Sequence, residues 1–192
     1  MKNLIIKSFS LIDKEKIISP KGTVERTLPL CQLVRDEVYS EKHPAFGKLA
    51  FADKLAFGAA AVAIEATKIE NPKDCAIVLL TNIGSLHRDK EFMETIKQNS
   101  PSPQFFSATL PSSPIAEISI VFGLKGANKV IFADDELARK TAELMLKECD
   151  ELLFVEINIG QNTEEIENSF ARAWVYAVKN IILPDNTEKK QQ

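Results

Sequence analysis

The side chains able to do chemistry are few and scattered. Three cysteines (Cys31, Cys75, Cys149), two histidines (His43, His87) and the loop serines Ser85 and Ser107 are the candidate nucleophiles, bases and ligands in 192 residues. An odd number of cysteines without Cys-x-x-Cys spacing argues against a disulfide framework and against a zinc site. Two histidines likewise argue against a metal cluster, so no metal or cofactor is expected. A thiol becomes a nucleophile only beside a base or a positive charge, and no histidine stands at a recognisable spacing from Cys31. Cys75 at a strand start and Cys149 on an apolar helix face read as small buried hydrophobes. Gly84-Ser85, between a strand and a helix, has the backbone N–H groups to cradle a phosphate, although an ordinary βα turn is the favoured reading, since most such turns bind nothing. Asp134-Asp135-Glu136 opens a helix, where carboxylates cap free N–H groups and complement the dipole. A like-charged, exposed run gives no reason for the shifted pKa that acid–base work needs.

Composition narrows the partners. The formal charge of −3 and pI near 5.6 give no electrostatic cause to expect nucleic acid or an anionic membrane surface. The N-terminus, MKNLIIKSFSLIDKEK, lacks the apolar run of a signal peptide and no stretch reaches transmembrane length, so a cytoplasmic location without membrane insertion is expected. With 45% hydrophobic residues, residues 1–184 are enough for one compact domain, and 185–192 read as a disordered polar tail.

The elements that must position these residues alternate. Leu4 to Leu11 reads as a first strand, mixing an apolar start with alternation, and Pro20-Lys21-Gly22 as a break. Leu28 to Glu41 has helical spacing with vague bounds. Leu49 to Ile69 is an alanine-rich helix apolar on nearly all sides, hence buried, with Asp53-Lys54 marking its rim. Cys75 to Leu80 (CAIVLL) is a continuous apolar strand of the kind covered on both faces. A helix follows from about Asp89 to Gln98, then two short helical pieces broken at Pro111 and Pro114, a strand Lys129 to Ala133 and a helix from Asp134. In that last helix Leu137, Ala138, Thr141, Ala142, Leu144, Met145 and Cys149 fall on one side, and Arg139, Lys140, Glu143 and Lys147 on a wet one. Asp150 to Asn158 and Ala171 to Val178 are the final strands, with Trp174 packed on the sheet and Asn180 to Pro184 continuing the edge. The pattern βαβαβαββ favours an open, largely parallel α/β sheet between helical layers.

The segment from Pro101 to Leu146 carries a family likeness. A Ser-Pro and aromatic run, a helix of small and β-branched residues, the turn Gly123-Leu124-Lys125-Gly126-Ala127-Asn128, a strand and a helix mouth follow one another as in the nucleophile-bearing segment of the β-ketoacyl-acyl-carrier-protein synthases. The chain thus resembles the N-terminal half of these thiolase-superfamily enzymes, well over roughly Leu49 to Gly160 and loosely at the ends. The resemblance implies a three-layered α-β-α half of a thiolase-like fold, with a mixed five-stranded sheet ordered 3-2-1-4-5 and strand 5 antiparallel. It also implies a dimer in which the edge strand Lys129, Val130, Ile131, Phe132, Ala133 pairs with its counterpart across a two-fold axis.

In the family a cysteine stands where this chain has Asp135, or Asp134 if the loop is one residue shorter. A carboxylate cannot form the thioester that ketosynthase chemistry requires. The family's catalytic histidines and lysine belong to a C-terminal half that these residues do not include, and His43 and His87 match neither histidine. In the full fold two halves sandwich the helix after the nucleophile; the wet stripe here suits a half exposed on that side, unless a partner supplies complementary charges. Three readings follow. The first is a non-catalytic subunit pairing with a ketosynthase or an acyl-carrier protein in fatty-acid, polyketide or aryl-polyene synthesis. The second is a homodimeric binding or scaffold protein. The third is an acyl hydrolase or transferase using Ser85, Ser107 or Cys31.

Overall fold

The computed structural model describes residues 2–161 and 163–180. Three stretches rich in β-branched and aliphatic residues form its parallel part: β4 (Ala76–Thr81), β5 (Asn128–Phe132) and β6 (Glu151–Asn158). The long strands β1 (Lys2–Ile12) and β7 (Phe170–Asn180) pair with each other in antiparallel fashion, and a hairpin, β2 (Lys16–Ser19) and β3 (Gly22–Glu25), extends the sheet beyond β1. All seven strands belong to one mixed sheet, in the order β3-β2-β1-β7-β6-β4-β5. β4 runs parallel to β5 and β6, whereas β7 is antiparallel to both of its neighbours.

This corrects the expected topology in two respects. There are seven strands rather than five, because Pro20-Lys21-Gly22 is a hairpin turn rather than a break; Gly22 holds φ +136 there, a conformation open only to glycine. The five expected strands lie in the order 3-2-4-5-1 rather than 3-2-1-4-5, with the fifth antiparallel as anticipated. The reason is the burial each strand can bear. A central strand between two helical layers needs apolar residues on both faces; β4 is buried throughout and β6 nearly so. β1 carries Ser8 and Ser10 on one face and leaves Leu4, Ile6 and Phe9 exposed on the other, so it suits the half of the sheet away from α6. Lys7, beside a register shift between Ile6 and Ser8, reaches the buried Glu151 at 2.6 Å. The other oxygen of Glu151 accepts from the amides of Glu70 and Asn71 at 2.6 and 3.2 Å, which ties the strand's start to the entrance of β4.

One face of the sheet is covered by α2 (Phe51–Glu65) with α5 (Ser113–Phe122) packed on it. The short α1 (Arg35–Val38) lies against α2 where Gly58 leaves room for Val38 and Ile12. α3 (Leu86–Lys97) and α4 (Pro103–Ser107) form an outer pair joined by Phe92 and Phe106, and the single-turn α7 (Thr163–Ile166) precedes β7. Among the helices of the described residues, α6 (Asp135–Met145) alone packs on the opposite face. The expected edge 180–184 extends past residue 180 and, with the tail 185–192, lies outside the described residues.

Candidate functional site

The site to be tested is the mouth formed where β4 and β5 end and α3 and α6 begin. β5 stops at Phe132, and Ala133 turns the chain with φ +46 while its N–H donates to Thr81 O at 2.9 Å. A non-glycine residue in that region is strained, and here the strain delivers the chain into α6. Asp134 is the helix cap: its carboxylate accepts from Leu137 N at 2.8 Å. Asp135 and Glu136 follow, exposed, in the first turn, and Glu136 pairs with Lys140. At the end of β4, Thr81 Oγ1 accepts from Gly84 N at 3.0 Å. Gly84 has φ +56, and a Cβ there would stand 2.5 Å from the Phe132 ring, so only glycine lets Phe132 lie over this loop.

The turn before β5 has its own demand for glycine. Gly123 ends α5 in the left-handed conformation. Gly126 is needed for space, since a Cβ would fall 2.4 Å from Cys75 O, and this contact seats β5 against β4. β5 then forms the outermost strand, hydrogen-bonded on one side to β4. Lys129 and Phe132 are exposed, Val130 and Ile131 half-buried, and Ala133 is exposed at its end.

Beside the mouth lies a cleft of about 100 Å³, lined by the candidates Ser85 and His87 together with Asp53, Arg88 and Glu91, which the sequence reading did not identify as site residues. Asp53, expected at the rim of α2, is instead 5% exposed. Its carboxylate accepts from Ser113 Oγ at 3.2 Å. Burial pushes its pKa up to about 6, against the opposing effects of the Ser113 bond and the Arg88 charge. Arg88 lines the same cleft, with its guanidinium 4.6 Å from the Phe105 ring centroid and 2.7 Å from Glu91. A signal existed: Asp53 lies on the same helical stripe as Ala56, Ala60 and Ala63, all fully buried, so its burial follows from helical spacing.

Of the predicted chemical residues, Ser85 and His87 line this one cleft, and Ser107, Cys31, Cys75, Cys149 and His43 are not part of it. Ser85 Oγ donates to Asp89 at 3.1 Å, whereas His87 Nε2 is engaged by Gly160 O at 2.7 Å. Ser107 Oγ donates to Gln104 O within its own helix. Cys31 is exposed, and its thiol pKa is raised by desolvation and by the Glu167 carboxylate beside it, the wrong direction for a nucleophile. Burial pushes the Cys75 thiol up to about 12 and raises that of Cys149, so both behave as the hydrophobes expected. His43 packs against Phe46 and Phe57, with Nε2 3.0 Å from Glu117 but out of line for a hydrogen bond. Among the described residues no group of three His, Cys, Asp or Glu side chains could hold a metal.

No family model and no curated protein sequence matches the chain. Solved structures do. A ketosynthase in complex with its chain length factor from Xenorhabdus doucetiae superposes with a TM-score of 0.67 over 91% of this chain and 78% of that one, at 15% identity. The ishigamide ketosynthase/chain length factor gives 0.69 over 91% and 62%, at 11% identity. The fold is that of the ketosynthases. A beta-ketoacyl synthase from Burkholderia phymatum gives 0.57 over 93% and 60%, at 9% identity, so this chain spans about three fifths of the length of two of these ketosynthase-fold proteins. At such identities the likeness concerns the fold; the arrangement of side chains at the mouth is this chain's own. No helix among the described residues is long and apolar enough to cross a membrane.

Proposed function

We propose that the chain is a non-catalytic ketosynthase-like subunit that pairs with an active ketosynthase, with an acyl-carrier protein as a further partner, in fatty-acid, polyketide or aryl-polyene synthesis. The observation that carries the reading is the helix mouth. Where the resemblance puts a nucleophilic cysteine, at Asp135 or Asp134, the chain has carboxylates, and Asp134 is already engaged in capping α6. A capped carboxylate beside no histidine has no route to an acyl thioester. Support for the partner comes from the edge of β5: among the described residues it pairs on one side only, with β4, and Phe132 is 52% exposed, a surface suited to strand addition and prone to aggregation if left bare. Two of the matching structures are described as a ketosynthase with a chain length factor, which supports the same arrangement here. In this reading residues 1–184 act as one domain.

The test is a mild affinity purification of the tagged chain from its native host, followed by native mass spectrometry. Stoichiometric recovery of a ketosynthase, lost on Phe132→Glu, is the expected result. Recovery of no ketosynthase, or an interaction indifferent to Phe132, would overturn it. Acyl-chain length measured with and without the chain then reports its role in synthesis.

A further inference from the structure

The cleft between α2, α3 and the α4–α5 loop holds a carboxylate without a counter-charge. Asp53 is 5% exposed and stands among the walls of the cleft: it belongs to α2, accepts from Ser113 Oγ of α5 at 3.2 Å and feels the charge of Arg88 on α3. A second bond comes from the Ala50 backbone. An ionised carboxylate has about four acceptor sites, so about half of them stay unfilled. Among the described residues no cation pairs with Asp53. Arg88 is held by Glu91 at 2.7 Å and lies 4.6 Å from the Phe105 ring centroid. Glu117 on α5, the other acid that Asp53 feels, adds negative charge, with His43 Nε2 3.0 Å from it on the far side. Arg88 and Glu91 cancel, and the balance around Asp53 is negative. A buried charge left unpaired is costly to a fold, and in a cleft such a group marks a place that a ligand completes.

His87, which lines the same cleft, adds a second acceptor. The carbonyl oxygen of Gly160 can only accept, so His87 Nε2, 2.7 Å from it, carries the hydrogen, and Nδ1 of the neutral ring keeps a lone pair. Leu110, Pro111 and Pro114 supply an apolar wall opposite these groups. At about 100 Å³ the space admits a group of a few heavy atoms. We propose that this cleft binds a small primary alkylammonium, with its charged head on Asp53 and its short stem against Pro111 and Pro114. An ammonium brings three donors and no acceptor, which suits a site whose open groups are acceptors. An anion would meet Asp53 and Glu91 instead. A metal ion lacks the ligands it needs, since no group of three His, Cys, Asp or Glu side chains among the described residues could hold one.

The probe is n-butylammonium chloride, titrated into the purified chain and followed by NMR through the backbone amides of Asp53, His87 and Arg88. Saturable shifts with a Kd of about 1 mM at about pH 7.5 are expected. Binding is expected to weaken about tenfold at about pH 5, because protonation removes the charge of Asp53, whose pKa is about 6, while the ammonium stays charged. Asp53→Asn keeps an acceptor for Ser113 but no charge, and should weaken binding about tenfold or more at about pH 7.5, with most of the pH dependence lost. n-Butanol, which has the stem without the charge, and potassium chloride, which has the charge without the stem, should give no saturable shift at these amides. Absence of saturable shifts with the ammonium, equal binding of butanol or potassium, or an affinity unchanged by acid or by Asp53→Asn would overturn the proposal. The acid series on the wild type decides the matter if Asp53→Asn does not fold. The titration uses the chain without a partner, so its outcome is separate from the capture of a ketosynthase through β5.

Discussion

Asp53→Asn isolates the effect of burying an acid at the head of α2. In the folded protein the Asp53 pKa rises from 3.8 to about 6 because burial disfavours its charge. An acid whose folded pKa exceeds its unfolded one binds its proton more tightly when folded. Its contribution is therefore most favourable below about pH 4, is lost as pH rises through about 6, and is flat above that. The gap amounts to up to about 3 kcal/mol at about 1.36 kcal/mol per pH unit. Asparagine keeps an acceptor for Ser113 and cannot ionise. Urea unfolding of both proteins at pH 8 should show the variant more stable by up to about 3 kcal/mol, or roughly 10 °C in Tm, with the difference vanishing toward pH 4. Comparing the two proteins at each pH cancels every other titrating group. A variant no more stable at pH 8, or an advantage that does not shrink with acid, refutes the assignment of a desolvated, mostly ionised carboxylate.

Three further substitutions test the parts that position the mouth. Gly126→Ala drives a methyl into the Cys75 carbonyl and should destabilise by more than about 3 kcal/mol, read as a large drop in the urea midpoint. Lys7→Met leaves Glu151 buried without its cation and should lower stability by about 3 kcal/mol at neutral pH, with most of the loss recovered in Lys7→Met/Glu151→Gln, as equilibrium unfolding would show. Asp134→Ala removes the cap on Leu137 N and should lower stability by about 1 kcal/mol, while Asp134→Asn retains most of it.

Much of the fold was legible because local patterns were consistent with it. The continuous apolar runs CAIVLL and ELLFV are the buried, parallel strands β4 and β6, and the alanine-rich run became the buried α2. The pairing of β1 was not recovered, although its alternation of Ser8 and Ser10 with Phe9 already marked a strand with two unlike faces. Strand order is a long-range property, and the resemblance supplied an order that the burial of β1 does not support. In α6 the wet residues Arg139, Lys140 and Glu143 are exposed as read, but the apolar arc was wider than the single sheet it meets. Leu137 and Leu144 therefore stay outside, and Leu146 fills the place expected of them. The Asp53 cleft needs α2, α3 and α5 together, and no contiguous stretch of sequence displays it.

The pairing of β1 with β7 also has a consequence for biosynthesis. β1 leaves the ribosome before its partner, with roughly 160 residues between them, so β1 waits roughly 10 to 30 s for β7 at 5–20 residues per second. During that time Leu4, Ile5 and Ile6 have only the β2–β3 hairpin nearby, and that hairpin pairs with the far end of β1, at Leu11 and Ile12. The nascent chain therefore carries an unmatched apolar strand until β7 has been made. The step that completes the sheet is the later arrival of β7 between β6 and β1.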